Sequence, residues 1–236
     1  MKCYGTSSVL GLLFLTGLVI AADDPTPNQL SAEEKGQGFR LLFDGKSTNG
    51  WRGFRQKGFP EGWQVVDGAI ARVSNAGDII TEDQFDNFEL RLQWKVAPGS
   101  NSGIMYFVSE DQDKPYYTGP EYQILDNAKH PDGRKKITSA ASVYALYPPS
   151  KDVTRPVGEW NDTKIISLNG KVEHWLNGEK VAEYDRNSDE WKAKVKASKF
   201  ASMPEFGKPL KGHICLQDHG DPVYYRSIRI RELNSK

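Results

Sequence analysis

The residues best suited to chemistry in this sequence lie in the run Glu121-Tyr-Gln123-Ile-Leu-Asp126. The run is otherwise apolar and typical of a β-strand, and side chains alternate across a strand, so Glu121 and Gln123 emerge on the same face. Asp126 joins them only if a one-residue bulge shifts the alternation, and bulges are common beside active sites. Two carboxyl groups and an amide would supply a proton donor, a proton acceptor and a hydroxyl-binding group, as sugar cleavage requires. A strand with one solvated face would show the same pattern.

The run belongs to a series of short β-like segments that must position its side chains. Asp67-Gly68, Asn169-Gly170 and Asn177-Gly178 predict hairpin turns. Further strands are predicted at Arg40–Phe43, Trp63–Val66, Ala69–Val73, Asp78–Thr81, Phe88–Val96, Gly103–Val108, Tyr122–Leu125, Ala141–Ala145, Thr163–Leu168, Lys171–Leu176, Glu179–Tyr184, His213–Gln217 and Val223–Arg231. Many short strands separated by Gly, Asn and Asp turns predict an all-β, two-sheet antiparallel sandwich.

One segment departs from the β pattern and predicts a short inserted helix. Ser188–Ala197 begins with a capping serine, continues with two acidic residues, and places Trp191 and Val195 four residues apart. We expect this helix on the outside of the sandwich, followed by a loop rich in Pro and Gly that reaches Gly212.

The N-terminus predicts an exported protein. Lys2, the apolar stretch Val9–Ile20 and the pair Ala21-Ala22 together have the pattern of a secretory signal peptide, and the stretch is too short for a stable membrane span. We therefore expect a signal peptide at residues 1–22, a leader segment at 23–38 and one β-sandwich domain at 39–234. The expected location is periplasmic or secreted, with no membrane attachment after cleavage. Cys215 would then be the only cysteine, so the domain would contain no disulfide bond within the chain.

The composition narrows the classes of partner. The formal net charge is +0, which gives no support to binding of nucleic acid or of an anionic membrane. Aromatic residues make up 11% of the chain, which suits both a large core and the stacking of sugar rings. We expect a small carbohydrate as the partner. The oligomeric state does not follow from the sequence.

Seven motifs, in order from about Phe39 to Leu233, resemble the 3-keto-disaccharide hydrolase domain family. Besides Glu121–Asp126, the motifs are Phe43-Asp-Gly-Lys with Gly50-Trp51, Trp63-Gln-Val-Val-Asp-Gly68, Ser100-Asn-Ser-Gly-Ile104, Gly158-Glu-Trp-Asn161, His174-Trp-Leu-Asn-Gly178, and Gly212–Gly220 with Tyr225–Ile230. The resemblance implies a concanavalin A-like jelly roll, and a bacterial hydrolase of 3-keto-glycosides.

The same resemblance allows a comparison with laminarinase-type glycosidases, which carry Glu-x-Asp-x-x-Glu on a bulged strand. Here Gln123 replaces the helper aspartate and Asp126 is shorter than the expected glutamate. Retaining glycosidases hold their two carboxyl groups about 5–5.5 Å apart, so a double displacement is disfavoured. A 3-keto sugar offers another route, because the ketone acidifies the hydrogen on C2 and allows elimination followed by hydration. Direct hydrolysis remains the alternative route.

Such a site needs a base, a proton donor and groups that hold the substrate. The catalytic candidates are Glu121, His219, Glu159 and Asp126. The substrate-binding candidates are Asn101, Ser102, Gln123, Tyr144, Trp160, Asn161, His174, Gln217 and Arg226. Each has a structural alternative: Asp126 as a turn cap, His174 as a core histidine, Tyr144 and Trp160 as core aromatics. Arg226 would orient a carboxylate or hold an enolate oxygen.

Metal binding is only weakly indicated. There is no His-x-x-x-His motif and no cysteine pair, although oxygen atoms in Asp111–Asp113 would suit a calcium ion. We therefore expect no cofactor and leave the metal unassigned. Two further functions stay open at this point, a non-catalytic carbohydrate-binding module and a laminarinase-like retaining glycosidase.

Overall fold

A computed structural model describes residues 1–2 and 26–234. Residues 3–22 of the predicted signal peptide therefore lie outside the described residues. In the part of the leader that is described, Ser31 caps helix α1 (Ala32–Gly36) through a capping box with Glu34, as its sequence favours. In the described residues, no helix is long and apolar enough to cross a membrane.

The fold is the predicted all-β sandwich of two antiparallel sheets. The larger sheet contains eight strands: β1 (Arg40–Leu41), β3 (Trp63–Val66), β4 (Ala69–Arg72), β6 (Phe88–Val96), β9 (Asn161–Leu168), β10 (Lys171–Leu176), β11 (Glu179–Asp185) and β13 (Val223–Glu232). Its order is β11-β10-β9-β6-β13-β4-β3, with β1 also paired to β13.

The smaller sheet contains five strands, β2 (Trp51–Gly53), β5 (Ile79–Thr81), β7 (Asn101–Val108), β8 (Glu121–Leu125) and β12 (His213–Leu216), in the order β2-β5-β12-β7-β8. Strand β2 was not predicted. The predicted strand Ala141–Ala145 is wrong: Ala141 and Ala145 have φ of 65° and 59°, and left-handed backbone interrupts a regular ladder. Only isolated bridges at Val143 form there.

The main core lies between the sheets and is rich in large aromatic residues. Trp63, Trp94, Phe88 and Tyr225 are all at most 2% exposed, and each comes from an alternating strand whose apolar side chains face inward. Strands β7 and β8 are buried along their whole length on both faces, so the outer face of the smaller sheet is covered as well.

The inserted helix forms as predicted. Helix α2 (Asp189–Lys196) begins after Ser188, whose hydroxyl accepts a hydrogen bond from the Trp191 amide at 3.1 Å. Trp191 is buried and stacks on Tyr184 with a centroid distance of 4.7 Å, so the helix packs against the sandwich through this ring. A 3₁₀ helix, Lys199–Ser202, follows directly.

Candidate functional site

A mainly apolar row of side chains crosses the outer face of the smaller sheet. Glu121 pairs with Met105, Met105 pairs with Cys215, and Cys215 pairs with Ile80. Ile80, Met105 and Cys215 form a small cluster separate from the main core, with Tyr116 packed against it. Glu121 is thus the only polar member of the row. The predicted burial of Cys215 is confirmed: it has no exposed surface and is separated from Glu121 by Met105.

The neighbouring row is polar. Gln123 pairs with Gly103, whose carbonyl accepts a hydrogen bond from the Gln217 amide at 3.0 Å. Extending the β5–β12 register by two residues from Cys215 and Ile80 places Gln217 opposite Asp78. Register alone therefore aligns Gln123, Gln217 and Asp78, which are far apart in sequence, with Gly103 between Gln123 and Gln217.

These rows form the floor of a cavity of about 170 Å³. The cavity is lined by Asn101, Tyr116, Glu121, Gln123, Tyr144, Lys199, Phe200, Gln217 and His219. Sites for drug-sized ligands measure about 300–1,000 Å³, so this cavity encloses a group no larger than one small ring. Six of these lining residues were predicted as site residues from the sequence: Asn101, Glu121, Gln123, Tyr144, Gln217 and His219.

Glu121 has an unusual environment for a carboxyl group. It is only 9% exposed, and no described residue donates a hydrogen bond to its carboxyl oxygens. Burial raises the pKa of Glu121 to about 8, the positive charge of Lys199 opposes this rise, and the negative charges of Asp78 and Asp132 add to it. The group therefore exchanges its proton close to neutral pH, as an acid–base catalyst must.

Gly103 makes room for this carboxyl group. A Cβ atom at Gly103 would collide with Oε1 of Glu121, because the side chain of Glu121 lies across the glycine. The backbone of Gly103 is already fixed by its pairing with Gln123 and by the hydrogen bond from Gln217. The position of the carboxyl group thus depends on a missing side chain on the adjacent strand.

His219 lies at the mouth of the cavity, just after β12. It is exposed, and its ring contacts the ring of His130 edge-on at a centroid distance of 6.2 Å. Asp78, which sequence reasoning missed, lies close enough for the charge of His219 to affect it. Burial raises the pKa of Asp78 to about 6, while the hydrogen bond from the Asp218 amide opposes the rise. The signal was present in the sequence, since Asp78 alternates with Ile80 on one strand face.

Two oxygen atoms in the cavity wall lack donors. Asn101 Oδ1 and Gln217 Oε1 are both buried, and neither has a hydrogen-bond partner among the described residues. Buried polar atoms are nearly always paired in native proteins. The pair of acceptors therefore suits a ligand that carries several hydroxyl donors.

The remaining wall comes from loops, and the sequence did not indicate most of it. Tyr116 belongs to the 3₁₀ helix Pro115–Tyr117, while Lys199 and Phe200 belong to the 3₁₀ helix after α2. Tyr144 donates a hydrogen bond to Asp132 at 3.1 Å, and the Lys199 ammonium lies 4.2 Å from the centroid of the Tyr144 ring. Of these four residues only Tyr144 was predicted from the sequence. No motif marks Tyr116, Lys199 or Phe200, because they meet the floor only through the tertiary fold.

Three predicted residues are held in structural roles instead. Ser102 is fully buried on the inner face, where its hydroxyl bonds the Gln217 carbonyl at 2.6 Å. Asp126 follows a regular β8, without the bulge that would have turned it toward Glu121, and accepts hydrogen bonds from the amides of Gly99, Ala128 and Lys129. His174 has no exposed surface and bonds Tyr106 and the Ala141 carbonyl in the core, where burial lowers its pKa to about 4.

Four other predicted residues lie at the larger sheet. Glu159 is exposed and Trp160 is partly exposed, beside the start of β9. Asn161 is buried, and its Oδ1 accepts hydrogen bonds from Arg155 and Asn177. None of the three lines the cavity.

Arg226 is the fourth, and its predicted alignment with Ile228 and Ile230 is wrong. A register shift follows Arg226, with φ of 53° at Ser227, and it reverses the alternation. The guanidinium therefore bonds Gln93 at 2.7 Å and lies 4.1 Å from the Trp160 ring centroid. It is not part of the cavity wall.

The candidate calcium ligands have protein partners. Asp113 forms an ion pair with Arg55, and Asp111 accepts a hydrogen bond from the Ser109 hydroxyl at 2.7 Å. In the part of the chain that the structure describes, no group of three or more His, Cys, Asp or Glu residues is placed to hold a metal ion.

Comparison with known proteins gives consistent results. Residues 38–231 match the model of the 3-keto-alpha-glucoside-1,2-lyase-like domain. A 3-keto-disaccharide hydrolase of Bacteroides thetaiotaomicron is 37% identical over 230 residues, covering 84% of this chain and 79% of the relative. A crystal structure of a candidate glycosyl hydrolase from Parabacteroides distasonis shares 37% identity with a TM-score of 0.82, over 89% of this chain and all of that one. A second from the same organism shares 28% identity with a TM-score of 0.65, over 83% of this chain and 99% of that one.

Proposed function

Because the chain belongs to the 3-keto-alpha-glucoside-1,2-lyase-like domain family, we propose that it is an exported hydrolase that cleaves the glycosidic bond of 3-keto-disaccharides and related 3-keto-glycosides. The observation that carries the proposal is Glu121, a buried carboxyl without hydrogen-bond partners among the described residues, in a cavity sized for one small ring. The oxidised sugar ring would enter the cavity, and the second sugar would remain outside.

The first step removes the proton on C2. His219 accepts this proton, the C–H electron pair forms a C2–C3 double bond, and the electrons of the ketone move onto its oxygen. Imidazole is suited to proton transfer near neutral pH, and a positioned base accelerates such a step by about 10²–10⁴-fold. Asn101 and Gln217, with their unpaired acceptor oxygens, would hold sugar hydroxyl groups during the step.

The second step expels the other sugar. The enolate electrons return, the ketone re-forms, a C1–C2 double bond develops and the C1–O bond breaks. Glu121 is largely protonated at neutral pH because its pKa is about 8, so it can supply the proton that the leaving oxygen takes. Water then adds its hydroxyl to C1 and gives its proton to Glu121, while the protonated His219, after exchange with solvent, returns a proton to C2. Both groups are restored, and the net reaction is hydrolysis.

The alternatives are less well supported by the same geometry. A retaining glycosidase needs a second carboxyl group about 5–5.5 Å from the first, yet Gln123 is neutral and the carboxyl group of Asp126 is bonded to three backbone amides. A carbohydrate-binding module would present an aromatic strip without a base. Here Glu121, Gln123, Gln217 and His219 share one cavity, which favours an enzyme.

The test is an assay with a 3-keto-disaccharide and with its unoxidised parent, followed in D₂O. We expect sugar release from the oxidised substrate alone, with deuterium at C2 of the product. The free product is incubated separately in D₂O to measure its own exchange. Release without C2 deuterium would point to direct hydrolysis, and release from the parent sugar would contradict the proposal.

Variants of Glu121 and His219 test the assignment of roles. Glu121→Gln and His219→Ala should each lower turnover by about 10²-fold or more, because each removes a group that transfers a proton. Glu159→Gln is the matched control, since Glu159 is exposed and does not line the cavity. With Glu121 acting as the acid, kcat/KM of the wild type should fall as the pH rises above about 8. A rise of kcat/KM above about pH 8 would instead indicate that Glu121 is the base and His219 the acid.

Two parts of the proposal, export and the lack of a cofactor, rest on the sequence alone. Export rests on the signal-peptide pattern of residues 1–22, and sequencing the N-terminus of the protein from the extracytoplasmic fraction would check it. The proposed steps use side chains of this chain and no cofactor. Turnover should therefore survive dialysis against a chelator, and a loss restored by one added metal ion would contradict this part.

A further inference from the structure

Lys199 differs from the other residues that line the cavity. Among those described, it carries the only ammonium or guanidinium group. It begins the 3₁₀ helix Lys199–Ser202, which is fixed by the capping bond from the Phe200 amide to the Ser198 hydroxyl and by the stack of Phe200 on Phe206 with a centroid distance of 3.9 Å. The backbone that carries the lysine is therefore anchored on both sides.

The head group of Lys199 is held by aromatic faces rather than by an acid. Its Nζ lies 4.2 Å from the ring centroid of Tyr144 and 5.3 Å from that of Phe200. The nearby Lys192, Lys194 and Lys208 each form an ion pair, whereas Lys199 forms none with the described residues. Its charge is thus available to a ligand in the cavity.

Lys199 is itself exposed, but its charge acts on a group in the cavity. It is the strongest of the neighbouring charges on the buried carboxyl of Glu121, whose pKa it lowers against the effect of burial. Because Lys199 and Glu121 line the same small cavity, a sugar ring bound there would lie near both groups. The proposed reaction needs such a cation, because negative charge develops on the C3 oxygen when the C2 proton leaves.

We infer that Lys199 binds the C3 oxygen of the substrate and stabilises the enolate, an assignment that rests on the proposed function. The ammonium donates a hydrogen bond to that oxygen as the ketone electrons move onto it, and no proton is transferred. When the C1–O bond breaks, the ketone re-forms and the negative charge passes to the leaving oxygen, which takes the proton from Glu121. Arg226, expected in this role from the sequence, lies at the larger sheet beside Gln93 and Trp160.

The test compares Lys199→Met, Lys199→Arg and the control Lys192→Met on a 3-keto-disaccharide. Loss of one positioned donor to a developing oxyanion costs about 10²–10³-fold in rate, so Lys199→Met should lower kcat/KM by that factor. Lys199→Arg should keep part of the activity, and Lys192→Met, which changes an exposed lysine on α2, should match the wild type. Exchange of the C2 hydrogen with D₂O should fall in parallel, while the melting temperature stays unchanged.

A chemical rescue separates charge from packing. Lys199→Cys treated with 2-bromoethylamine regains an ammonium group at the same distance, and Cys215 is fully buried and does not compete. Treated wild-type chain controls for reaction at Cys3. Restored turnover supports the assignment, and failure of rescue overturns it. If the wild type is active and Lys199→Met is equally active, the role of Lys199 is overturned but the proposed hydrolase activity stands. If the wild type itself does not cleave the 3-keto-disaccharide, the proposed activity is overturned.

Discussion

The ionisation of Glu121 is controlled by a few named neighbours. Burial disfavours its charged form, Lys199 favours it, and Asp78 and Asp132 disfavour it further. No described residue donates a hydrogen bond to this carboxyl group, so its position depends on van der Waals contact with the residues packed around it. Gly103 is one of these neighbours, and a Cβ atom there would collide with the carboxyl oxygen.

Gly103→Ala should therefore displace the carboxyl group without removing it. We expect kcat/KM to fall by at least about 10-fold, since small misplacements of a reacting group cost large factors in rate. The pKa seen in the pH profile should shift as well, because the carboxyl moves relative to Lys199. Both are measured from kcat/KM against pH.

Gly36→Ala is the matched control for this variant. Gly36 lies in α1, a Cβ there meets no atom within 4 Å, and activity should be unchanged. Equal pH profiles for Gly103→Ala and the wild type would show that the collision is relieved elsewhere.

At the scale of elements, the inserted segment after β11 has a clear function in building the site. Helix α2 is fixed by Ser188 at its start and by the ring of Trp191, which stacks between Tyr184 and Phe206 at centroid distances of 4.7 Å and 6.0 Å. Phe206 in turn stacks on Phe200, which lines the cavity. The stack therefore connects the helix to the wall that carries Lys199.

Trp191→Ala should weaken both the fold and the site. Replacing a buried Trp by Ala typically costs about 3–5 kcal/mol in the free energy of unfolding, and here it also removes the support for Phe206. We expect that loss in urea denaturation, together with a higher KM. Lys192→Ala, one residue along on the exposed side of the same helix, should change neither. An unaltered KM in Trp191→Ala would show that the wall is positioned independently of the helix.

At the scale of the whole molecule, the buried carboxyl should make stability depend on pH. An ordinary Glu has a pKa of 4.5, whereas Glu121 in the folded chain has a pKa of about 8. Between these values the unfolded chain has lost its proton and the folded chain keeps it, so stability falls as the pH rises from about 4.5 to about 8. Asp78, with a pKa raised from 3.8 to about 6, acts in the same direction over a lower range.

Glu121→Gln removes only the first of these contributions. The variant should be more stable than the wild type by an amount that grows between pH 5 and pH 8, reaching on the order of 3 kcal/mol. Urea denaturation of both proteins across this range measures the difference, and Asp78 is present in both. A difference that is constant with pH would show that Glu121 is not protonated in the folded chain.

The sequence by itself determined the sandwich and the floor of the site. Strict alternation and turn residues fix which side chains share a face, so Glu121 with Gln123 and the burial of Cys215 followed from local pattern. The helix of residues 189–196 followed from its cap and spacing. These features follow from alternation, turn residues and helix caps, which are local patterns that can be recognised in the sequence without knowing which strands pair.

Only the tertiary structure decided the rest of the site. Strand register set Asp78 opposite Gln217, and the bulge after Arg226 turned that arginine away from Ile228. Backbone amides near Asp126 donate hydrogen bonds to its carboxyl group, which holds it away from the cavity. The stack of Phe200 on Phe206 positions the 3₁₀ helix that carries Lys199 at the cavity. A single change of register or a loop contact moves a side chain to the opposite face, and neither is encoded by local alternation. The part of the cavity wall formed by Tyr116, Lys199 and Phe200 could therefore not be predicted from the sequence.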